Sequence, residues 1–187
     1  MSKNLLICDI DGVMFDMNYE FLYWYNKNYP IQKKSINDLK KDLNYKKIKE
    51  SYRFSGHKLS IDPDPIIIEV LKEARNNYFD IWIVTSRPNV GPNHENTRTW
   101  LDRNSLIYDR LIFCRTKESL SFSEKAIDFN KVAIVDDQKK FLRSLSVSLL
   151  NLKDFKSMLL VNYKSSHFEN KSEKEQKLKE LRSYIND

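Results

Sequence analysis

A chain of 187 residues that is 41% hydrophobic and 31% charged has the balance of a water-soluble protein and enough length for one substantial core. No stretch approaches the roughly 20 apolar residues a bilayer requires, and the first apolar run leads straight into Asp9, which excludes a secretory signal and points to a cytoplasmic protein with no membrane partner. Thirty-two basic residues against 26 acidic ones leave a net charge of +6 and a pI near 9.1, which fits an anionic partner without amounting to a nucleic-acid footprint.

Leu5 to Cys8 reads as a buried strand that stops at Asp9, Ile10, Asp11 and Gly12. Two carboxylates one residue apart at a strand end would share a side if the chain stayed extended, and would repel each other unless a cation lay between them. A hard divalent ion such as Mg²⁺ is the simplest occupant. Phe15, Tyr19, Leu22 and Tyr25 then recur at helical spacing up to Pro30, and their rings are expected to pack a small cap. Ser35 to Tyr52 reads as a second, lysine-rich helix whose charges face solvent, and Arg53 to Pro65 as the loop back to the core.

Asp64 and Pro65 open a helix to about Asn77, and Phe79 to Val84 forms a second strand, ending in Thr85, Ser86 and Arg87. Hydroxyls and a guanidinium at a strand end bind anions. A helix from about His94 to Asn104 is followed by a strand at Leu111 to Cys114, and a helix from Lys117 to Phe129 by a strand at Val132 to Val135 that ends in Asp136 and Asp137. Lys139 to Leu145 forms a helix, Met158 to Val161 a last strand, and Glu173 to Ile185 an amphipathic terminal helix. Cys8 and Cys114 lie in apolar runs, as buried reduced thiols do. His57 has no ligand partner in sequence and carries no assignment.

This alternation predicts an α/β fold with a mainly parallel, Rossmann-like sheet between helices, and places the polar strand ends on one edge. It divides the chain into a core of residues 1–16 and 62–163, a helical cap inserted after the first strand at 17–61, and a charged terminal segment at 164–187.

The motifs Asp9-Ile10-Asp11-Gly12, Thr85-Ser86-Arg87 and Asp136-Asp137, with a lysine upstream of the last, resemble in order and strand context those of the haloacid dehalogenase superfamily of phosphotransferases. The resemblance spans about residues 5–161 and implies Mg²⁺-dependent hydrolysis of phosphomonoesters through an aspartyl phosphate. It makes Asp9 the nucleophile, Asp11 the general acid and then base, and Thr85 a donor to the phosphoryl oxygens. Asp9, the backbone carbonyl of Asp11, Asp136 and Asp137 would serve as metal ligands. Lys117 fits the spacing of polynucleotide kinase 3′-phosphatase domains, and Lys125 that of deoxyribonucleotide 5′-nucleotidases. Ser86, Arg87 and Arg98 are the expected substrate contacts, because the region after Thr85 resembles the 3′-phosphatase domains, whereas the cap is placed and sized like that of the 5′-nucleotidases. The substrate implied is a nucleotide or the 3′-phosphate end of a nucleic acid. The competing readings are a 5′-nucleotidase for free nucleoside monophosphates, a small-metabolite phosphatase of the same fold, and a basic nucleic-acid-binding accessory protein.

Overall fold

The computed structural model describes residues 4–114, 129–148, 154–159 and 168–187. Five parallel strands form one sheet in the order β3-β2-β1-β4-β5, with β1 (Asn4–Cys8) at its centre, between β2 (Phe79–Thr85) and β4 (Lys131–Asp136). The edges are β3 (Arg110–Phe113) and β5 (Asp154–Leu159), the latter starting four residues before the strand expected at Met158 to Val161, whose last two positions lie outside the described residues.

Side chains of β1 alternate between two packed layers, as strand geometry demands of a sheet covered on both faces. Leu6 and Cys8 join one layer with Ile67, Val70 and Leu71 of α4 (Pro65–Asn76), Trp100 and Leu101 of α5 (Pro92–Arg103), and Leu178 and Leu181 of the terminal helix. Leu5 and Ile7 join the other layer with Trp82, Val132, Ile134 and Phe141. Both cysteines are buried thiols outside any disulfide, although Cys114 falls just beyond β3.

Between β1 and α4 lie α1 (Met17–Asn28), α2 (Ile36–Lys40), α3 (Tyr45–Phe54) and a 3-10 turn at His57–Ser60. The expected single helix over Ser35–Tyr52 is broken at Lys41 to Asn44, and its first part, α2, is capped by Ser35, whose hydroxyl accepts from the Asp38 N–H at 3.1 Å. The expected aromatic stripe of α1 is rotated: Phe21, Trp24 and Tyr25 are buried against Leu39, Ile48 and Tyr52 while Tyr19 is exposed, and Asp16 caps the helix by accepting the Tyr19 N–H. Phe21, Trp24, Leu39, Ile48 and Tyr52 make a separate apolar cluster, with the Phe21 and Tyr52 rings 4.8 Å apart, so the rings pack the cap as expected.

Among the described residues the remaining helices are α6 (Lys139–Ser148) and α7 (Phe168–Asn186), the latter beginning five residues before the expected Glu173, while the helix expected from Lys117 to Phe129 lies almost wholly outside the described residues. Ion pairs of Lys174 with Asp64 and of Arg182 with Glu69 hold α7 along α4. Among the described residues no helix is long and apolar enough to cross a membrane.

Candidate active site

In a parallel sheet the crevice lies beyond the carboxyl ends of the strands, at the point where successive connections run to opposite sides. Here that point is the end of β1, since β2 and β4 flank it. Asp9 follows β1 and is fixed by its own N–H, which donates to the Val135 carbonyl at 3.0 Å. Thr85 ends β2 and Asp136 ends β4, so three strand ends bring their polar side chains to one edge.

Asp9, Asp136 and Asp137 each present a carboxylate oxygen, and these oxygens lie within 4.8 Å of one another. The first two residues are buried. Asp136 also accepts the Gln138 N–H at 2.8 Å, which turns the chain after β4. Asp137 reaches the cluster over Gly12, whose φ is +95°, and a Cβ built at that position would lie 2.3 Å from Asp137 Oδ2. Glycine is therefore required twice at this position, for its left-handed backbone and for the close carboxylate. Three carboxylates with no histidine or cysteine among them form a hard, all-oxygen donor set suited to Mg²⁺.

The side chain of Asp11 does not join that cluster. After Cys8 the backbone leaves the extended conformation, with the Val13 and Met14 N–H groups both donating to the Ile10 carbonyl. The Asp11 carboxylate turns instead to two cations: Arg87 donates through Nε at 3.0 Å and through a terminal nitrogen at 2.7 Å, and Lys58 Nζ donates at 3.0 and 3.2 Å. Burial alone would raise its pKa, but the charges and hydrogen bonds of Arg87 and Lys58 prevail and hold it well below the usual carboxylate range. Burial in turn pushes Lys58 down to about 8, against the pull of Asp11.

Arg87, expected to contact substrate, is among the residues lining the cleft, with its guanidinium largely buried against this carboxylate. It donates to Thr97 Oγ1 at 3.2 Å and packs within 6 Å of the Phe15 and Trp100 rings, at 5.9 and 5.8 Å. Arg98 is exposed on α5 and does not line the cleft. Thr85 and Ser86 do line it, and the Thr85 hydroxyl accepts the Arg87 N–H at 3.3 Å. Lys117 and Lys125 lie outside the described residues.

The cleft measures about 210 Å³, and its far wall is the cap: Met17 of α1, Lys49 and Arg53 of α3, and Lys58 of the 3-10 turn. The expectation of a solvated charge face over Ser35 to Tyr52 fails at Lys49, and Arg53, expected in the return loop, continues α3 beside it. Ile48 and Tyr52 point into the cap cluster, which turns the stripe one residue on, Lys49 and Arg53, toward the crevice. Asn93, near the start of α5, completes the lining with a buried side-chain nitrogen that makes no hydrogen bond. The four-residue spacing of Ile48 and Tyr52 was the available signal for Lys49 and Arg53. Lys58 had none, since it lies in an irregular return and meets Asp11 from 47 positions away.

No family model and no curated protein matches the chain. Solved structures do. A chain of the Pnkp1/Rnl/Hen1 RNA repair complex is 17% identical with a TM-score of 0.50, over 87% of this chain and 43% of that one. A haloacid dehalogenase-like hydrolase of Burkholderia xenovorans is 9% identical with a TM-score of 0.55, over 86% and 83%. A HAD-superfamily hydrolase of Ehrlichia chaffeensis is 10% identical with a TM-score of 0.51, over 99% and 97%. The chain thus spans less than half of the repair-complex chain it matches. What it shares with all three is the haloacid dehalogenase-like fold.

Proposed function

We propose that this chain is a Mg²⁺-dependent phosphomonoesterase in which Asp9 is the nucleophile, acting on a nucleotide or on the 3′-phosphate end of a nucleic acid. The observation that carries the reading is the meeting of the Asp9, Asp136 and Asp137 carboxylates beside Thr85, at the switch point of the sheet. A protein that only bound anions would gain nothing from three acids in that place. Asp9, Asp136, Asp137 and the main-chain carbonyl of Asp11 would hold the ion. When bound, Mg²⁺ supplies the positive charge that lets a carboxylate approach a phosphate dianion.

The Asp9 carboxylate attacks phosphorus, the bond to the ester oxygen breaks, and the phosphoryl group rests on Asp9 as an acyl phosphate. Thr85 and Ser86 donate hydroxyl hydrogen bonds to the phosphoryl oxygens as their charge rearranges. Asp11, ionised between Arg87 and Lys58, is set to accept a proton from the water that attacks the acyl phosphate in the second step. Its role as acid toward the leaving oxygen in the first step requires that it gain a proton once the entering phosphoryl group draws a cation away from it. Lys117, or Lys125 in its place, would add a further positive charge.

The substrate assignment follows the likeness to the RNA repair complex and the cationic cap wall. Phosphate release would be compared from a 3′-phosphorylated oligonucleotide, a nucleoside 3′-monophosphate and a nucleoside 5′-monophosphate, with Mg²⁺ and with chelator. The 3′-phosphates are expected to be preferred, chelator to stop turnover, and Asp9→Asn to lower it by at least ~10³-fold. Preference for the 5′-monophosphate would favour the 5′-nucleotidase reading instead. Absence of any Mg²⁺-dependent turnover would sink the phosphatase reading.

A further inference from the structure

We infer that Lys49 and Arg53 form a subsite for a second phosphate of the substrate, carried by the leaving group rather than by the phosphoryl that is transferred. The inference rests on the phosphatase reading for its orientation. In-line attack by Asp9 from the end of β1 puts the leaving oxygen on the far side of phosphorus. The rest of the substrate therefore extends toward the cap, and the cap wall is what it meets.

The charges on that wall are not evenly matched. Lys58 and Arg87 share the carboxylate of Asp11. Lys49 and Arg53 have no ion pair among the described residues, yet both are half-buried and sit four positions apart on one stripe of α3. Like charges at that spacing destabilise a helix. Burial, with repulsion from Arg53, lowers the pKa of Lys49 against a smaller pull from Asp11, and Arg53 also repels Lys58. A fold keeps such an arrangement at a cost unless an anion relieves it, and a guanidinium beside an ammonium suits phosphate oxygens.

The lining also says what is not recognised. Among the described residues lining this cleft there is no aromatic ring, and the apolar contacts are Met17 and Pro88. The described lining thus offers charge and hydrogen bonds to sugar and phosphate rather than a stacking face for a base. The second phosphate can be a terminal monoester, as in a nucleoside 3′,5′-bisphosphate, or the internucleotide diester of a longer chain.

The test compares kcat/KM for a nucleoside 3′-monophosphate, the matching 3′,5′-bisphosphate and a 3′-phosphorylated dinucleotide with a free 5′-hydroxyl. At least one of the two-phosphate substrates should exceed the monophosphate by about tenfold or more, the worth of one charge-assisted contact. Lys49→Gln and Arg53→Gln should each reduce that ratio. Preference for the dinucleotide alone identifies a phosphodiester, and preference for both identifies any second phosphate. A wild-type ratio near one overturns the subsite without reference to the variants. So does a ratio that the variants leave intact, or an equal loss on all three substrates, which would assign the cations to the transferred phosphoryl. Calorimetric binding of the bisphosphate and monophosphate to the Asp9→Asn protein separates the two readings. Equal affinities overturn the subsite even where the wild type turns over. Tighter bisphosphate binding that Arg53→Gln abolishes supports the subsite even where turnover is absent.

Discussion

Asp9 and Asp11 are two residues apart and do different work because the backbone between them bends. Asp9 stays with the strand and meets Asp136 and Asp137, while Asp11 leaves it and is gripped by Arg87 and Lys58. The sequence made both acids conspicuous, and the partition between them depended on a lysine in the cap return that no motif marks. Lys58 also makes stability depend on pH. Its pKa falls from 10.5 to about 8 on folding, so between those values the unfolded chain binds the extra proton. Its contribution is therefore full above the unfolded value and is lost as pH falls through about 8. Each pH unit between the two is worth about 1.4 kcal/mol, which bounds the effect at roughly 3 kcal/mol. In urea titrations the stability of the wild type relative to Lys58→Met should rise from pH 8 to pH 10.5. A difference independent of pH would mean that Lys58 titrates normally in the folded protein.

At the scale of elements, the strands were legible because each is a short apolar run ending in polar chemistry, and the sheet buries both faces of β1. The cap was less so. With aromatics on every side of α1, periodicity alone did not give the phase, which follows from packing of Phe21, Trp24 and Tyr25 against α2 and α3. The lysine run from Lys40 to Lys49 hid the break between α2 and α3. Trp100, at the region expected to approach substrate, instead ties α5 to the cap return: its indole N–H donates to the Ile61 carbonyl at 2.6 Å, and its ring meets Phe15 edge-on at 5.7 Å. Trp100→Phe keeps most of the packing but strands a buried carbonyl, at an expected cost of about 1–3 kcal/mol. Because the return carries Lys58, phosphatase activity should fall as well. A variant of unchanged stability would show that the carbonyl finds another donor.

For the molecule as a whole, alternating strands and helices implied a parallel sheet with its polar strand ends on one edge, while the strand order, with the first strand at the centre and the site at its end, is what the structure adds. What alternation does not encode is which cap side chains look inward, because that depends on how α3 rolls onto its own apolar cluster. The resulting cleft has a floor of three carboxylates and a cationic roof, a division of charge that fits the proposed phosphate ester held between them. The claim on which all of this turns is covalent chemistry at Asp9. The direct measurement is mass spectrometry of the peptide containing Asp9 after the protein, mixed with Mg²⁺ and an aryl phosphate, is quenched in acid during turnover. One phosphoryl group on Asp9 in the wild type, and none in Asp9→Asn, is the expected result. Phosphate release with no adduct, sustained in Asp9→Asn, would contradict it.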